Sequence, residues 1–353
     1  MRRDTLRSGS IAAVALLVVL ACAALVGSAS TTAAASTKTP AAKSSTKLTS
    51  INFGLASVNM LYAPYVVGQA AGIFKKNGIQ LNVVLTKDAA TAEAAVASSQ
   101  TPIGAITTDA IAISHDANPQ VAIMMPVVTT TPYSLVVNPN IKKVSDLKGK
   151  VLGASGLATA DGGIIRAILD FYGMKIGNDY SIAVTGDPAA RTSALLNGQT
   201  SGIAAPEPQL TILKNQGFKE LVSATTIPGI SSRPFNMIAV NRGWAAKHPA
   251  TVVAFEKAWL NSVKYMYANP KASIAALAAG LNTSADVMAD AYGDWLVSKK
   301  VFPQSCALPL YLLGNVINAQ IGLENMKAPG PKPASLLLGG KYCQQAMATP
   351  KKK

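Results

Sequence analysis

Apolar runs alternate with alanine-rich stretches along the first part of the chain, and this pattern predicts an alternation of strands and helices. The predicted strands are short runs rich in Ile, Val and Leu, at residues 51–55, 81–85, 103–106 and 121–128. The predicted helices lie between them, at residues 62–71, 91–98 and 109–115. Strands that alternate with helices across short connections are typical of a mostly parallel sheet covered by helices.

A second block with the same alternation follows and then gives way to helices. Its predicted strands are residues 134–137, 151–153, 181–184, 202–205, 220–222 and 235–240. The predicted helices are residues 162–172, 188–196 and 208–216, followed by 249–267, 271–279 and 285–298. The Pro- and Gly-rich tail from residue 327 is predicted to wrap the surface.

The order of these blocks predicts an α/β protein with two βα lobes joined by a two-strand hinge, because the second block is inserted into the first. The hinge is expected near residues 133–137 and 235–240. The predicted segments are an export signal at 1–29, a flexible linker at 30–47, lobe 1 at 48–131, lobe 2 at 132–237, and the second part of lobe 1 with a helical segment and tail at 238–353.

The N-terminus has the charge and hydropathy of an export signal. Arg2, Arg3 and Arg7 precede an unbroken apolar run at residues 11–21. This run is about half of the roughly 20 residues that a membrane-spanning helix needs, so we expect export rather than a permanent anchor. Two processing routes remain open, lipidation of Cys22 and cleavage near residues 27–29. With either route we expect an extracytoplasmic protein. Lipidation would hold it to the membrane by an anchor, and cleavage would leave it freely soluble.

The remaining cysteines and the histidines favour a disulfide rather than a metal site. Cys306 and Cys343 form an even pair in an oxidising compartment, which favours a disulfide over two buried thiols. His115 and His248 stand alone in the sequence, so we expect neither metal ligation nor a cofactor.

The formal net charge of +15 is spread along the chain rather than concentrated on one element. The basic residues are mostly scattered lysines, without the stripe of arginine and aromatic residues that a nucleic-acid surface shows. We therefore expect no nucleic-acid partner. The excess of positive charge favours solvated faces, with a bias towards anionic ligands or an anionic membrane surface.

Three segments, at residues 63–79, 141–150 and 197–208, resemble motifs of a known family in the same order. They are similar to segments of the nitrate/sulfonate/taurine family of ABC-importer solute-binding proteins, and the resemblance extends over residues 48–279. Ser201 stands where that family usually has Asp. The resemblance implies the type II periplasmic-binding-protein fold. It also implies a monomeric receptor that captures a small anionic or aromatic solute, such as a sulfonate or nitrate, and delivers it to an ABC permease.

Polar residues at the strand-to-helix junctions and at the hinge are the candidate ligand contacts. In open α/β sheets, ligands bind outside the carboxyl ends of the strands, where helix N-termini present free N–H groups. The candidates are Ser57, Asn59, Met60, Thr108, Asp109, Thr130, Tyr133, Ser155, Thr159, Asp187, Glu207 and Arg233. Helix capping alone is the competing explanation for the small polar residues. Arg233 could bind a carboxylate or sulfonate through two hydrogen bonds, or it could form an ion pair with Asp187 or Glu207.

The sequence lacks three common catalytic or cofactor-binding motifs. It has no Gly-x-Ser-x-Gly nucleophile elbow, no dinucleotide fingerprint and no phosphate-binding loop. We therefore expect a binding protein rather than an enzyme. Two alternatives stay open: an enzyme of pyrimidine-precursor or menaquinone type on the same fold, and an extracytoplasmic ligand sensor.

Overall fold

The computed structural model describes residues 48–348 except residues 57, 87 and 158, so the predicted export signal, the linker and Cys22 lie outside the described residues. The strands are β1 Thr49–Leu55, β2 Ile79–Leu85, β3 Ile103–Thr107, β4 Val121–Val128, β5 Ser134–Val137, β6 Lys150–Ala154, β7 Tyr180–Val184, β8 Gly202–Ala205, β9 Lys219–Ser223 and β10 Asn236–Asn241. The helices are α1 Ala63–Ala70, α2 Ile73–Lys76, α3 Ala89–Ala97, α4 Thr108–Ser114, α5 Ala160–Phe171, α6 Pro188–Leu196, α7 Gln209–Asn215, α8 Arg242–Lys247, α9 Pro249–Ala268, α10 Pro270–Gly280, α11 Ala285–Tyr292, α12 Leu310–Gly322 and α13 Lys341–Met347.

The first sheet has the strand order β2-β1-β3-β10-β4. The strands β2, β1 and β3 run parallel, with Phe53 aligned to Val83 on one side and to Ile103 on the other. The strand β10 is antiparallel to both β3 and β4, because it returns from the second block and enters the sheet from the opposite end. The sheet is therefore mixed, with a parallel part of three strands.

The second sheet repeats this arrangement in the order β7-β6-β8-β5-β9. The strands β7, β6 and β8 are parallel, and β5 lies antiparallel between β8 and β9. Each sheet thus places the carboxyl ends of three parallel strands at one edge. Loops at such an edge are the usual position for ligand contacts in open α/β sheets. The two sheets define the two lobes of the α/β fold.

The chain crosses between the lobes in two non-strand segments, at residues 129–133 and 227–235. This differs from the prediction that the crossings are strands, since β5 lies wholly in the second sheet and β10 wholly in the first. The two segments are hydrogen-bonded to each other. The Phe235 N–H donates to the Thr130 carbonyl at 3.2 Å, and Thr131 Oγ1 donates to the Arg233 carbonyl at 3.0 Å.

Apolar faces of the sheets and helices form a core on both sides of each sheet. In the first lobe, Phe53 packs against Phe255 and Trp259, whose rings are stacked with centroids 6.1 Å apart. The opposite face of the first sheet is covered by α3, α4 and α12, through residues such as Leu313 and Ile317. The helix α12 is therefore an integral part of the first lobe. Among the described residues, no helix is both long and apolar enough to cross a membrane.

The C-terminal tail packs against the first lobe through specific contacts. Cys306 and Cys343 form the predicted disulfide, across a sequence separation of 37 residues. The Leu338 N–H donates to the Ile123 carbonyl at 2.8 Å, which attaches the tail to the outer edge of β4. Arg242 Nη1 donates to the Leu337 carbonyl at 2.9 Å. The tail is more regular than its composition predicts, because it contains α13 and a 3₁₀ turn at Pro333–Leu336.

Candidate functional site

A cavity of about 70 Å³, partly open to solvent, lies where the two lobes and the crossing segments meet. Its apolar walls are Leu157, Ile164, Ala167, Ile230, Phe235, Val316 and Leu323. The polar residues on the cavity are Asp109, Thr131, Thr159, Arg233, Gln320 and Asn325. Three predicted ligand residues, Asp109, Thr159 and Arg233, therefore share one cavity.

Arg233 brings a guanidinium to this cavity without any acceptor from the protein. Within the described part of the chain, its side chain forms no ion pair, and Nε is buried with no hydrogen-bond partner. The predicted alternative, an ion pair with Asp187 or Glu207, is absent among these residues. Burial lowers the pKa of Arg233, and no neighbouring charge contributes to that shift. Leaving the buried Nε–H without an acceptor is costly, so this half-buried group is suited to an anionic ligand.

Asp109 supplies a charge of the opposite sign from the first turn of α4. Its Oδ1 accepts a hydrogen bond from the Ala110 N–H at 2.9 Å. No ion pair involves Asp109 within the described ranges of the chain. The neighbouring Thr108 is fully buried, and its Oγ1 has no hydrogen-bond partner among the described residues. Of these two predicted residues, only Asp109 lines the cavity.

Two aromatic residues pack against each other at the crossing segments, with their ring planes tilted by 50°. The rings of Tyr133 and Phe235 have centroids 4.9 Å apart. Burial raises the pKa of the Tyr133 phenol, and Arg191 acts in the opposite direction. The Tyr62 hydroxyl accepts a hydrogen bond from Asn236 Nδ2 at 3.3 Å. Burial raises the pKa of Tyr62 to about 12. Both phenols are therefore neutral at physiological pH and can act as hydrogen-bonding groups.

A buried ion pair holds the loop between β6 and α5, and sequence reasoning missed it. Arg191 Nη1 lies 2.9 Å from Asp161 Oδ2, with both side chains less than a tenth exposed. The same guanidinium donates to Ser155 Oγ at 2.6 Å, and the Ser155 N–H donates to Asp161 Oδ2 at 2.7 Å. The predicted ligand residue Ser155 is thus used within the protein. The sequence feature that could have indicated this ion pair is Asp161 near the start of α5, because a carboxylate there favours an N–H or cationic partner.

Other predicted residues cap helices. Asn59 Oδ1 accepts from the Leu61 N–H at 2.9 Å, and the exposed Asp187 Oδ1 accepts from the N–H groups of Ala189 and Ala190. Thr159 Oγ1 donates to the Gly156 carbonyl at 2.7 Å and shapes the same loop that lines the cavity. Capping accounts for Asn59 and Asp187, and neither lines the cavity.

The last four predicted residues lie elsewhere. Met60 is fully buried in the core of the first lobe. Glu207 is buried, accepts from the Thr211 N–H at 3.1 Å, and has a pKa raised by burial. Thr130 lines a separate groove on the crossing segments. Ser57 lies outside the described residues.

Within the described part of the chain, no group of three or more His, Cys, Asp or Glu residues could hold a metal ion.

A family model described as NMT1/THI5 like matches residues 59–273, which is more than half of the chain. A search of curated proteins found no match. Among solved structures, the chain is similar to the periplasmic aliphatic sulphonate binding protein SsuA from Escherichia coli. The two share 16% sequence identity with a TM-score of 0.67, over 83% of this chain and 98% of that chain.

Two further structures share this fold. The periplasmic nitrate-binding protein NrtA from Synechocystis has 14% identity and a TM-score of 0.65, over 82% of this chain and 85% of its own. A DszB mutant in complex with biphenyl-2-sulfinic acid has 12% identity and a TM-score of 0.62, over 84% of this chain and 98% of its own. At these identities the similarity establishes the two-lobed fold.

Proposed function

The chain belongs to the NMT1/THI5-like family, and on that premise we propose that it is the extracytoplasmic solute-binding component of an ABC importer. In this proposal it captures a small organic anion between its lobes and delivers it to the permease. The solute receptors SsuA and NrtA have the same fold and bind aliphatic sulphonates and nitrate, respectively. We further propose that the chain acts as a monomer, and that its export signal leaves it free or lipid-anchored outside the cytoplasm.

The observation that carries the proposal is the unpaired guanidinium of Arg233 on the cavity between the lobes. A half-buried cation without a protein partner is stabilised when an anion binds, because the ligand replaces the water lost on burial. A carboxylate or sulfonate can accept two parallel hydrogen bonds from a guanidinium. Phe235, which packs against Tyr133 and lines the cavity, adds an apolar surface for the organic part of the solute.

Closure of the lobes is the proposed mechanism. The two crossing segments are short and outside any strand, so rotation about them leaves both sheets intact. The cavity is lined by α5 from the second lobe and by α12 from the first, so a ligand in it contacts both lobes. A ligand that binds both lobes favours the closed arrangement, and that arrangement is the signal for the permease.

The proposal is tested by calorimetry on the purified protein with a panel of organic sulfonates and carboxylates. We expect stoichiometric binding of at least one compound, with the compound recovered unchanged. Arg233→Gln should weaken that binding by roughly tenfold or more, since it removes a charge-assisted contact. Arg166→Gln is the matched control, because Arg166 lies on α5 but does not line the cavity.

Equal affinity in Arg233→Gln and the unmodified protein would overturn the assignment of the anion contact. Chemical conversion of the bound compound would instead support the alternative of an enzyme on this fold. Uptake of the identified compound by cells that lack the partner permease would argue for a sensor rather than an importer component.

A further inference from the structure

One end of the first lobe carries exposed positive charge that no nearby carboxylate balances. It is formed by the amino ends of β1 and β2 and by the carboxyl ends of α2 and α9, and its charged residues are Lys75, Lys76 and Lys264. We call this surface the basic pole, and we propose that it rests on an anionic lipid surface. This inference goes beyond the proposed function and does not depend on which solute the protein binds.

Contacts bring the elements of the basic pole together. The Thr49 N–H, at the start of β1, donates to the Gly78 carbonyl at 2.8 Å, and Thr49 is aligned with Ile79 at the start of β2. Lys76, the last residue of α2, and Lys264, near the end of α9, line one shallow groove. Lysines from two separate helices therefore lie on one surface, next to the first residues of two strands.

The absence of exposed carboxylates distinguishes this surface from the second lobe. The elements β1, β2, α1, α2, α9 and α10 contain one carboxylate, Glu256, and it is buried. The lysines of the basic pole form no ion pair within the described ranges. On the second lobe, Lys143 is close enough to Asp146 for their charges to interact, and Lys148 pairs with Asp179 at 3.6 Å. Solvation alone would explain exposed lysines, but it does not explain why their counterions are missing.

The chain enters the first lobe at the basic pole. Leu48, the first described residue, directly precedes β1. The predicted linker at residues 30–47 contains three lysines and no acidic residue, and residues 5–87 contain no Asp or Glu at all. The predicted export signal places the protein beside the outer face of a membrane. Linker and pole thus have charge of one sign where the chain approaches the membrane, which favours anionic lipid as the partner.

The position of the basic pole determines which way the cavity faces. Asp109, which lines the cavity, follows the carboxyl end of β3, whereas the pole lies at the amino ends of the parallel strands. A molecule that rests on the pole therefore directs this edge of its first sheet away from the bilayer, towards dissolved solute. Attraction to lipid contributes roughly fivefold in binding for each lysine near the surface. It is screened beyond about 10 Å at roughly 0.1 M ionic strength, so the contact is reversible.

Vesicle sedimentation tests the inference on protein that begins at residue 30, as cleavage near residues 27–29 would leave it. One set of vesicles contains equal parts of phosphatidylcholine and phosphatidylglycerol, and the other contains phosphatidylcholine alone. We expect the protein to sediment with the mixed vesicles and not with the neutral ones. Added salt should release it, because salt screens the attraction.

Variants of the basic pole assign the binding to its three lysines. Lys75→Gln, Lys76→Gln and Lys264→Gln combined should weaken binding to the mixed vesicles roughly a hundredfold, since three fivefold contributions are lost. Arginine at the same three positions should preserve binding, because the charge is retained. Circular dichroism checks that both variants remain folded, as expected for substitutions of lysines that are exposed or at the rim of a groove.

The matched control removes the same charge from the second lobe. Lys143→Gln, Lys148→Gln and Lys150→Gln combined replace three exposed lysines on that lobe. Binding to the mixed vesicles should remain almost unchanged, because these residues lie on a different sheet and two of them have carboxylate neighbours.

Three results would overturn the inference. They are failure to bind the mixed vesicles, equal binding to both kinds of vesicle, and an equal loss in the two triple variants. Complete displacement by soluble polyphosphate at the same phosphate concentration would assign the pole to a dissolved polyanion and would also overturn it. No solute takes part in these measurements, so the proposed function stands in each case. Failure of the solute panel would in turn leave the lipid contact intact.

Discussion

Arg191 and Arg233 both withdraw a guanidinium from solvent, Arg191 fully and Arg233 in part, but in different chemical surroundings. Arg191 contacts Asp161 and Ser155, so its charge is balanced within the second lobe. Arg233 has no such partner in the described part of the chain. We infer that Arg191 stabilises the fold, whereas Arg233 is held ready for a ligand. Loss of stability and loss of binding should therefore separate between these two positions.

Arg191→Leu should lower the free energy of unfolding by about 3–5 kcal/mol, because it leaves the Asp161 carboxylate buried without its cation. Urea denaturation followed by circular dichroism measures this change. Lys175→Leu is the matched control, since Lys175 pairs with Asp170 at the same distance of 2.9 Å but both side chains are largely exposed. That exposed pair should contribute only about 0–1 kcal/mol. Similar losses in the two variants would contradict a stabilising role for the buried pair.

The sequence predicts Arg233 as a candidate ligand contact but gives no indication of Arg191, and the reason is physical. The charge of an isolated arginine between predicted strands needs a ligand or a partner residue. For this reason the sequence pattern indicates Arg233 as a candidate. Arg191 lies within α6, where a charged residue usually faces solvent. Its burial depends on Asp161, which lies on another helix of the second lobe. Pairing between distant elements leaves no local pattern in a single sequence.

At the level of elements, the start of α5 controls the loop that lines the cavity. Gly162 packs against this loop so closely that a Cβ atom there would lie 2.0 Å from the Gly156 carbonyl oxygen. Gly163, the next residue of the same helix, has no atom within 4 Å of a Cβ position. The loop carries Leu157 and Thr159 onto the cavity. Its position therefore depends on the absence of a side chain at Gly162.

Gly162→Ala should destabilise the protein by roughly 1–3 kcal/mol, as expected for a side chain forced into packed surroundings. It should also weaken ligand binding, because the loop must move. Gly163→Ala should instead be neutral or stabilise by about 0.5–1 kcal/mol, since alanine favours the helix. Thermal unfolding with and without ligand checks both variants. Equal stability of the two would show that the loop adapts without cost.

Most strands were predictable, and the C-terminal elements were less so. Runs such as residues 121–128 are apolar throughout, and this pattern is typical of strands buried on both faces. The helices α9 and α10 also match their predicted positions closely. In contrast, α12 and α13 were not predicted individually, and Pro and Gly residues around α13 indicated an irregular tail. Contacts with α4 and α9, together with the disulfide, stabilise these helices, and such contacts cannot be read from local composition.

For the whole molecule, buried carboxyl groups connect stability to pH. Glu256 on α9 is almost completely buried, and its Oε2 has no hydrogen-bond partner within the described residues. Burial raises the pKa of Glu256 to about 8, and it also raises the pKa values of Glu93 and Glu207. Each of these groups therefore binds its proton more tightly in the folded state than in the unfolded state.

The free energy of unfolding should fall as the pH rises from 5 to 8. The contribution of Glu256 is fully present below its unfolded pKa of 4.5 and is lost as the pH rises through about 8, since the buried group must then lose its proton. Glu256→Gln should remove this part of the pH dependence, on the order of a few kcal/mol. Urea denaturation at pH 5, 6.5 and 8 measures the difference between the proteins, with the exposed Glu324→Gln as the control. A difference that does not change with pH would contradict a neutral Glu256.

The contribution of α12 to the cavity has a consequence for synthesis. One wall of the cavity is formed by residues 157–167, and the facing wall by residues 316–325, near the other end of the chain. A ribosome must therefore complete nearly the whole polypeptide before both walls exist. A nascent or truncated chain that ends before α12 would lack the cavity, even if both sheets had folded. Solute then has no complete cavity to bind during translation, so capture begins only with the finished protein.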